Sequence, residues 1–483
     1  MERIVNFSNR LGRTFSLIRH SGTIRWIIAD MTDSSQLLSA LRADKPLNAS
    51  MQRKLILSLS WPAILAQVSV TIMQMIDASM VGHLGVQAGA SIGLVSSSTW
   101  LINGICSGSV YGFSVQTAQA IGARNNEEAR NCSRQGLLVI LGVAFLIGSI
   151  GFGLSGMVPV WLGGEDAILA DASAYLGIFC LCLPFSLLNT WAIATLQAAG
   201  DTRLPGMTQI VMCMLDVLFN YLFIFAMNLG VAGSALGTGA AMACASLFLT
   251  WRVLFKNEFL KGKCRIHFTR HSLSKAVRIG VPISLEQLIS GSSYVMFTRI
   301  VSSLGSVSIA ANSFAITAES LCYMPGYGCG SAATAIIGQC TGANRHDLAR
   351  EISWRIVRIG MGMMALSGVV MFVFAPWLMN ILTPDPAVIE LGTSMLRLEA
   401  FAEPLYGASI VCSGILRGKG DTIWPACLNF LSIWCIRIPL AAWLSRSFGL
   451  AGAWVAMGVE LDARGLLFLW RLHHSFAPSK KKA

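Results

Sequence analysis

Four oxygen-bearing side chains in the first half of the chain lie in stretches that are otherwise uncharged. Asp77 ends an uncharged run that begins after Lys54. Asp216 and Asn220 are four residues apart, so on a helix they project from one face, and Thr238 follows in the next apolar stretch. A hard cation such as Na⁺ prefers oxygen ligands of this kind, whereas a proton needs only a carboxylate. We therefore predict an ion-coupling cluster of Asp77, Asp216, Asn220 and Thr238, with H⁺ and Na⁺ both open.

Three acids in the second half, Glu286, Glu319 and Glu403, also lie in apolar stretches. Ionisable residues within apolar helices are usually either functional or paired with one another. One hypothesis is that these acids bind substrate or a second cation. The alternative is a purely stabilising role in which they pair with the arginines of the same half, Arg299, Arg397 and Arg437.

Two further features concern the helices that carry these acids. Pro62 precedes Asp77 by about four turns, and a proline inside a helix frees a carbonyl group and permits a bend, so we predict a hinge there. Glu460 and Arg464 are four residues apart, which favours an ion pair within one helix over a role in a binding site.

The composition indicates what surrounds these helices. Of the 483 residues, 54% are hydrophobic and 12% are charged, whereas a soluble domain carries about 25% charged residues. The uncharged runs are long enough to cross a bilayer, which takes roughly 20 apolar residues. We predict an all-α membrane protein whose twelve transmembrane helices lie near residues 55–82, 89–121, 136–159, 171–198, 204–228, 231–254, 277–303, 307–340, 355–381, 388–416, 423–445 and 450–472.

The distribution of basic residues predicts the orientation. Most of the 36 Lys and Arg residues fall in the two termini and in alternate loops, which share one side of the membrane if there are twelve helices. By the positive-inside rule both termini are cytoplasmic, and the protein is expected in the cell (inner) membrane. The net charge of +12 is thereby explained by the lipid bilayer as partner, and no nucleic-acid partner is expected.

The chain repeats itself at a constant offset of 220 residues. Examples are Pro62 and Pro282, Gln119 and Gln339, Gly122 and Gly342, and Gly200 and Gly420. Six predicted helices separate equivalent positions, so both halves enter the membrane in the same sense and form two six-helix lobes related by a pseudo-twofold axis along the membrane normal.

The repeat and the charges together predict five regions. These are an N-terminal cytoplasmic extension that could include an interfacial helix (1–50), an N-lobe (51–256), a cytoplasmic linker (257–276), a C-lobe (277–473) and a basic cytoplasmic tail (474–483).

Several other classes of protein are not supported. The 13 cysteines include no CxxC pair and no Cys/His cluster at metal-ligand spacing, so neither a disulfide scaffold nor a metal site is expected. The GxxxxGK[ST] nucleotide motif is absent, as are the usual hydrolase and metalloprotease motifs. We expect no enzymatic activity, no catalytic residues and no cofactor other than a transported H⁺ or Na⁺.

Short motifs in both halves resemble those of the multidrug and toxic compound extrusion (MATE) transporters, on the bacterial side of that family. The resemblance covers residues 55 to about 472 and rests on Trp61-Pro62, Met75-Ile76-Asp77, Gly82-His83-Leu84-Gly85, Gln119-Ala120-Ile121-Gly122-Ala123, Gly200-Asp201-Thr202, Glu319-Ser320-Leu321, Met324-Pro325-Gly326 and Gly418-Lys419-Gly420-Asp421-Thr422. It implies a V-shaped, monomeric protein that exports small cationic or amphipathic organic compounds in exchange for H⁺ or Na⁺.

The chain departs from the family pattern at one site. The family carries an Asn and then an Asp four residues later, whereas here Asp216 precedes Asn220, which moves the charge by one helical turn. Three alternatives stay open: a flippase for lipid-linked precursors of the same superfamily, an exporter of flavin-like metabolites, and a channel or membrane scaffold whose buried acids only pair with arginines.

Overall fold

The computed structural model describes residues 31–262, 266–383 and 385–476, and within these ranges the regular structure is entirely helical. The helices are α1 (Met31–Arg42), α2 (Ala49–Gly82), α3 (Val86–Gly122), α4 (Asn126–Leu154), α5 (Val158–Trp161), α6 (Asp166–Ala198), α7 (Arg203–Asn220), α8 (Gly230–Trp251), α9 (Arg270–Ser302), α10 (Ser306–Gly342), α11 (His346–Leu382), α12 (Pro386–Glu399), α13 (Glu403–Lys419), α14 (Ile423–Ser432) and α15 (Ile438–Ser475).

Three helices continue as short π-helical turns. These are Tyr221–Ala226 after α7, Arg252–Lys256 after α8 and Ile433–Arg437 after α14. Two helical stretches of the second half are interrupted. Helix α15 has a non-helical residue at Gly449, and the stretch 388–416, predicted as one helix, is broken between Glu399 and Glu403 into α12 and α13.

Apolar length supports a membrane location. Among the described residues, seven helical segments are long and apolar enough to cross a membrane: Ala49–Gly82, Asn126–Leu154, Asp166–Ala198, Arg203–Ala226, Gly230–Lys256, His346–Leu382 and Ile423–Ser475. Many of their large apolar side chains face outward, as Phe145, Leu146 and Trp377 do, each more than 60% exposed. Exposure of this kind suits contact with lipid, because a soluble surface rarely presents large contiguous apolar patches.

The two halves meet through contacts that the 220-residue repeat duplicates. Gly108 of α3 lies against the backbone of Gly280 in α9, and its repeat mate Gly328 of α10 lies against the backbone of Ile64 in α2. A Cβ atom at either glycine would collide with the neighbouring helix. Glycine is therefore needed where the helices of one half approach those of the other.

The ends of α3 and α10 cross at one end of the molecule. Gly122 lies against the carbonyl of Gln339, and its repeat mate Gly342 lies against the carbonyl of Gln119. We call this the basic end, because the start of α2, the linker before α9 and the last turn of α15 lie there with most of the described Lys and Arg residues. The turns that join α2 to α3 and α9 to α10 lie at the opposite end.

The N-terminal part of the chain is folded onto the protein. Residues 1–30 and 477–483, which hold much of the predicted extension and tail, lie outside the described residues. Helix α1 buries Leu37, Leu38 and Leu41 in an apolar cluster with helices of the second half. Its apolar face is thus covered by protein, so α1 itself is not an interfacial helix, and for residues 1–30 the interfacial helix stays a prediction. Pro62 lies inside α2, which runs unbroken from Ala49 to Gly82, so the hinge stays a prediction.

Candidate ion-coupling site

The cluster predicted in the first half is assembled by one amide group. Asn220 Nδ2 donates a hydrogen bond of 2.8 Å to Asp77 Oδ1 and another of 3.1 Å to Asp216 Oδ2. Asp77 belongs to α2 and the other two residues to α7, so the amide joins two helices that are distant in sequence. The structure therefore brings Asp77, Asp216 and Asn220 together, as their positions in the sequence predicted.

The members of the cluster differ in their access to solvent. Asp216 and Asn220 are both 0% exposed, whereas Asp77 is half-buried. Thr238 of α8 lies next to the Asp216 carboxyl, which places the fourth predicted residue in the same cluster. Asp216 Oδ1 and Asn220 Oδ1 have no hydrogen-bond partner among the described residues. Because buried polar atoms are normally satisfied, both oxygens are available to contact a cation, and the Asp216 carboxylate can also take up a proton.

Two local features of the sequence position Asn220. It is the last residue of α7 before the π-helical turn Tyr221–Ala226, and such turns occur frequently at functional sites because they redirect side chains. Gly237 of α8 lies directly opposite, and a Cβ atom there would collide with Asn220 Oδ1. The π-helical turn thus orients the Asn220 side chain, and the absence of a side chain at Gly237 leaves the space for it.

In the second half, Glu286 is paired, but not with a predicted arginine. Its two carboxylate oxygens each accept a hydrogen bond of 2.9 Å from Arg417 Nη2, and Oε1 accepts a third of 2.6 Å from Asn429 Nδ2. The expectation that Arg299, Arg397 or Arg437 pairs with Glu286 is therefore wrong. Arg417 lies in α13 near the basic end, where it was assigned to a loop and not considered as a partner.

The other two predicted acids belong to a cluster that includes a residue missed from the sequence. Glu319 of α10 and Glu403 of α13 lie near Glu399, the last residue of α12. Glu399 and Glu403 are each 1% exposed, and neither carboxylate has a hydrogen-bond partner among the described residues. The spacing of four residues between Glu399 and Glu403 was the signal that could have identified Glu399.

Arg437, expected to pair with these acids, instead contacts Glu460. The Arg437 and Glu460 side chains approach to 2.6 Å, and Arg464 Nε lies 2.9 Å from the same carboxylate. The predicted pair of Glu460 and Arg464 is confirmed, within a triad of two arginines and one acid. Arg397 contacts the Phe372 carbonyl and ring. Glu319 lies within electrostatic reach of Arg437, but Glu403 has no arginine bonded to it in the described part of the chain.

A family model matches the chain twice. The model described as MatE matches residues 62–222 and again residues 282–443, two segments whose starts are 220 residues apart. A probable multidrug resistance protein NorM of Thermotoga maritima is 25% identical over 86% of this chain and 91% of its own length. A probable multidrug resistance protein NorM of Mesorhizobium japonicum is 28% identical over 87% of this chain and 94% of its own length.

Solved structures share the fold. A Vibrio cholerae MATE transporter, VcmN, superimposes with a TM-score of 0.83 at 19% identity, covering 92% of this chain and 98% of its own. A multidrug resistance MATE family transporter of the MOP superfamily, solved in an outward-facing conformation, gives a TM-score of 0.84 at 21% identity, covering 88% of this chain and 96% of its own.

Proposed function

Because the chain belongs to the MatE family, we propose that it is a secondary active antiporter that exports organic compounds in exchange for H⁺ or Na⁺. The observation that carries the proposal is the cluster of half-buried Asp77 with buried Asn220 and Asp216, in which two oxygens lack partners among the described residues. The names of the relatives, multidrug resistance proteins, support small organic molecules as substrates, and we propose that these are cationic or amphipathic.

The proposed topology has twelve transmembrane helices in two lobes. Several helices fall outside the seven most apolar segments for local reasons: α3 and α10 are rich in Gly and Ser, and α12 and α13 are separated by the break after Glu399. The apolar segment Ile423–Ser475 contains 53 residues, about 80 Å of helix at 1.5 Å per residue. With its irregular residue at Gly449 it can cross twice. The basic end is then cytoplasmic, with both termini there, in the inner membrane.

In this topology the structure is closed at the cytoplasmic side. Gln119 Nε2 donates a 3.2 Å hydrogen bond to the Gly418 carbonyl, and its repeat mate Gln339 donates a 2.8 Å hydrogen bond to the Ala198 carbonyl. Both the donors and the acceptors are related by the 220-residue offset. Transport by alternating access requires this pair of contacts to separate when the protein opens inward.

Coupling would occur at Asp77. It lies five residues before the end of α2 at Gly82, toward the outer side, and it is the least buried acid of its cluster. An ion entering from outside would neutralise the carboxylates and weaken the charge-assisted hydrogen bonds from Asn220, which changes the contact between α2 and α7. Pro62, as a hinge in α2, would convert that change into movement of one lobe. The membrane potential supplies about 2.3 kcal/mol per charge per 100 mV.

The acids of the second half would bind the organic substrate or a second cation. Beside Glu319, Glu399 and Glu403 lie three tyrosines in edge contact: Tyr323 is 5.8 Å from both Tyr327 and Tyr406. Glu399 and Glu403 have no hydrogen-bond partner among the described residues. Such carboxylates near aromatic rings suit an organic cation, which is attracted by both. The same acidity disfavours a lipid-linked precursor, whose phosphate groups carry negative charge.

Purified protein in proteoliposomes tests the proposal. With a fluorescent organic cation inside, an imposed inward gradient of H⁺ or of Na⁺ should accelerate its export, and the gradient that does so identifies the coupling ion. Export that responds to neither gradient across a panel of cationic, amphipathic and flavin-like compounds would contradict the proposal.

A further inference from the structure

The N-terminal helix α1 contacts both halves of the protein at the point where they close. Arg42 Nε donates a 3.2 Å hydrogen bond to Gln339 Oε1 of the second half. The same guanidinium lies 4.4 Å above the ring of Phe259, which follows α8 of the first half. Leu38 packs against Gly200 at the end of α6, also in the first half. The helix therefore lies across the seam between the halves.

The hydrogen bond from Arg42 to Gln339 has a counterpart on the other side of the pseudo-twofold axis. Gln119, the repeat mate of Gln339, accepts a 2.8 Å hydrogen bond at Oε1 from Lys275 Nζ, near the start of α9. The repeat mate of Lys275 is Leu55, which cannot donate. A cationic donor thus contacts each of the two closing glutamines, but the two donors come from positions that the repeat does not relate.

The chain near these donors is also held to the other half at positions that the repeat relates. The linker before α9 is held by α4 of the first half, where Asn131 Nδ2 donates to the His267 carbonyl. The first turn of α2 is held by α11 of the second half, where Glu351, the repeat mate of Asn131, accepts a hydrogen bond from Gln52. The start of each half is therefore fastened to the other half.

The packing of α1 supports the same equivalence. Next to Gln119 and Lys275 lies a cavity of about 280 Å³ whose lining includes Ala120 and Cys132. The repeat mates of these two residues, Cys340 and Ile352, instead belong to the apolar cluster that Leu37, Leu38 and Leu41 of α1 complete. Arg345 holds the end of α1 and the segment after it by donating to the carbonyls of Leu41 and Lys45 at 3.1 and 2.9 Å.

From these contacts we infer that α1 is the second half of a cytoplasmic gate, in which Arg42 acts on Gln339 as Lys275 acts on Gln119. The inference rests on the alternating access proposed above. Inward opening must separate the contacts of α1 with Gly200 and Phe259 from those with Gln339 and Arg345. The helix consequently favours the inward-closed state, and Arg42 is a positioning residue for the gate.

The test measures the gate directly. Nitroxide labels on non-canonical amino acids replace Glu127 and Asp347, two exposed repeat mates at the basic end, so that native cysteines stay unmodified. Double electron–electron resonance in liposomes then gives the populations of closed and open gates. Arg42→Met removes the hydrogen-bond donors but keeps a long stem over Phe259, and Lys275→Met is its counterpart. Lys45→Met, an exposed charge in the same segment, is the matched control.

We expect Arg42→Met and Lys275→Met each to raise the ratio of open to closed gates by about tenfold, the effect of one charge-assisted hydrogen bond. Lys45→Met should leave the ratio unchanged. Leu41→Lys, which places a charge in the apolar cluster and releases α1, should give an increase at least as large. A wild-type distance distribution in both Arg42→Met and Leu41→Lys would overturn the inference.

Conformation and transport are measured separately. If the gate opens in these variants but wild-type protein shows no gradient-driven export, the gate inference stands and the antiport proposal fails.

Discussion

Asp77 of α2 accepts a 2.8 Å hydrogen bond from Asn220 of α7, across 143 residues of sequence. A half-buried carboxylate is thereby held to an amide that has no exposed surface. The same amide contacts Asp216, so a change of charge at either acid is transmitted to the helix that carries the other. One amide therefore links the charge of both acids to the contact between α2 and α7.

The order of charge and amide in α7 can be tested by exchange. Asn220→Asp would place a third carboxylate within reach of Asp77 and Asp216, and the donor that joins them would be lost. We expect gradient-driven export to fall at least tenfold. The double variant Asp216→Asn with Asn220→Asp restores one acid and one amide in the order typical of the family, and should recover a large part of the activity. If the double variant is no more active than Asn220→Asp, transport depends on which of the two positions carries the carboxylate and not only on the number of carboxylates.

Gly237 provides a steric test of the same site. Gly237→Ala inserts a methyl group where Asn220 Oδ1 lies, and overpacking of this kind costs about 1–3 kcal/mol. Because the collision falls on Asn220, we expect loss of transport together with a lowered apparent unfolding temperature in detergent. Gly142→Ala in α4, where a Cβ atom meets no neighbour within 4 Å, is the control and should behave as wild type. If Gly237→Ala transports substrate in response to an ion gradient as the wild-type protein does, ion coupling does not require the observed position of the Asn220 side chain.

Two glutamates of the second half should respond in opposite ways to the same substitution. Glu286→Gln leaves the Arg417 guanidinium without its acid, and breaking a buried ion pair costs about 3–5 kcal/mol. Glu403→Gln neutralises a carboxyl that has no partner among the described residues, so thermal stability should stay level or rise. We expect Glu403→Gln, although folded, to bind an organic cation more weakly in a fluorescence titration. If Glu403→Gln binds the organic cation as tightly as the wild-type protein, Glu403 does not contribute to substrate binding.

The repeat made part of the structure predictable. A constant offset of 220 residues implies equivalent environments, and Gln119 with Gln339, and Gly122 with Gly342, do make equivalent contacts. The cluster around Asp77 was also predictable, because isolated polar residues in apolar helices gain stability by meeting one another.

What the sequence missed depends on tertiary packing. Glu286 pairs with Arg417 because the bundle brings α9 and α13 together, and hydropathy assigned that arginine to a loop. Glu399 was overlooked although it precedes Glu403 by four residues, and its burial depends on how α12 and α13 pack in the bundle. The packing of α1 against the protein was not predicted either, since an apolar helix face does not by itself indicate which apolar surface will cover it.

In the proposed mechanism, ion movement and substrate movement are coupled through Asp77, and an ion flux driven by the substrate alone would report this coupling. In proteoliposomes without an imposed gradient, an organic cation added to one side should drive H⁺ or ²²Na⁺ toward that side in the wild-type protein, because coupling between two sites is reciprocal. Asp77→Asn, reconstituted in equal amount and folded as judged by its unfolding profile, should give no ion flux. Equal ion flux in Asp77→Asn and wild type would contradict the account.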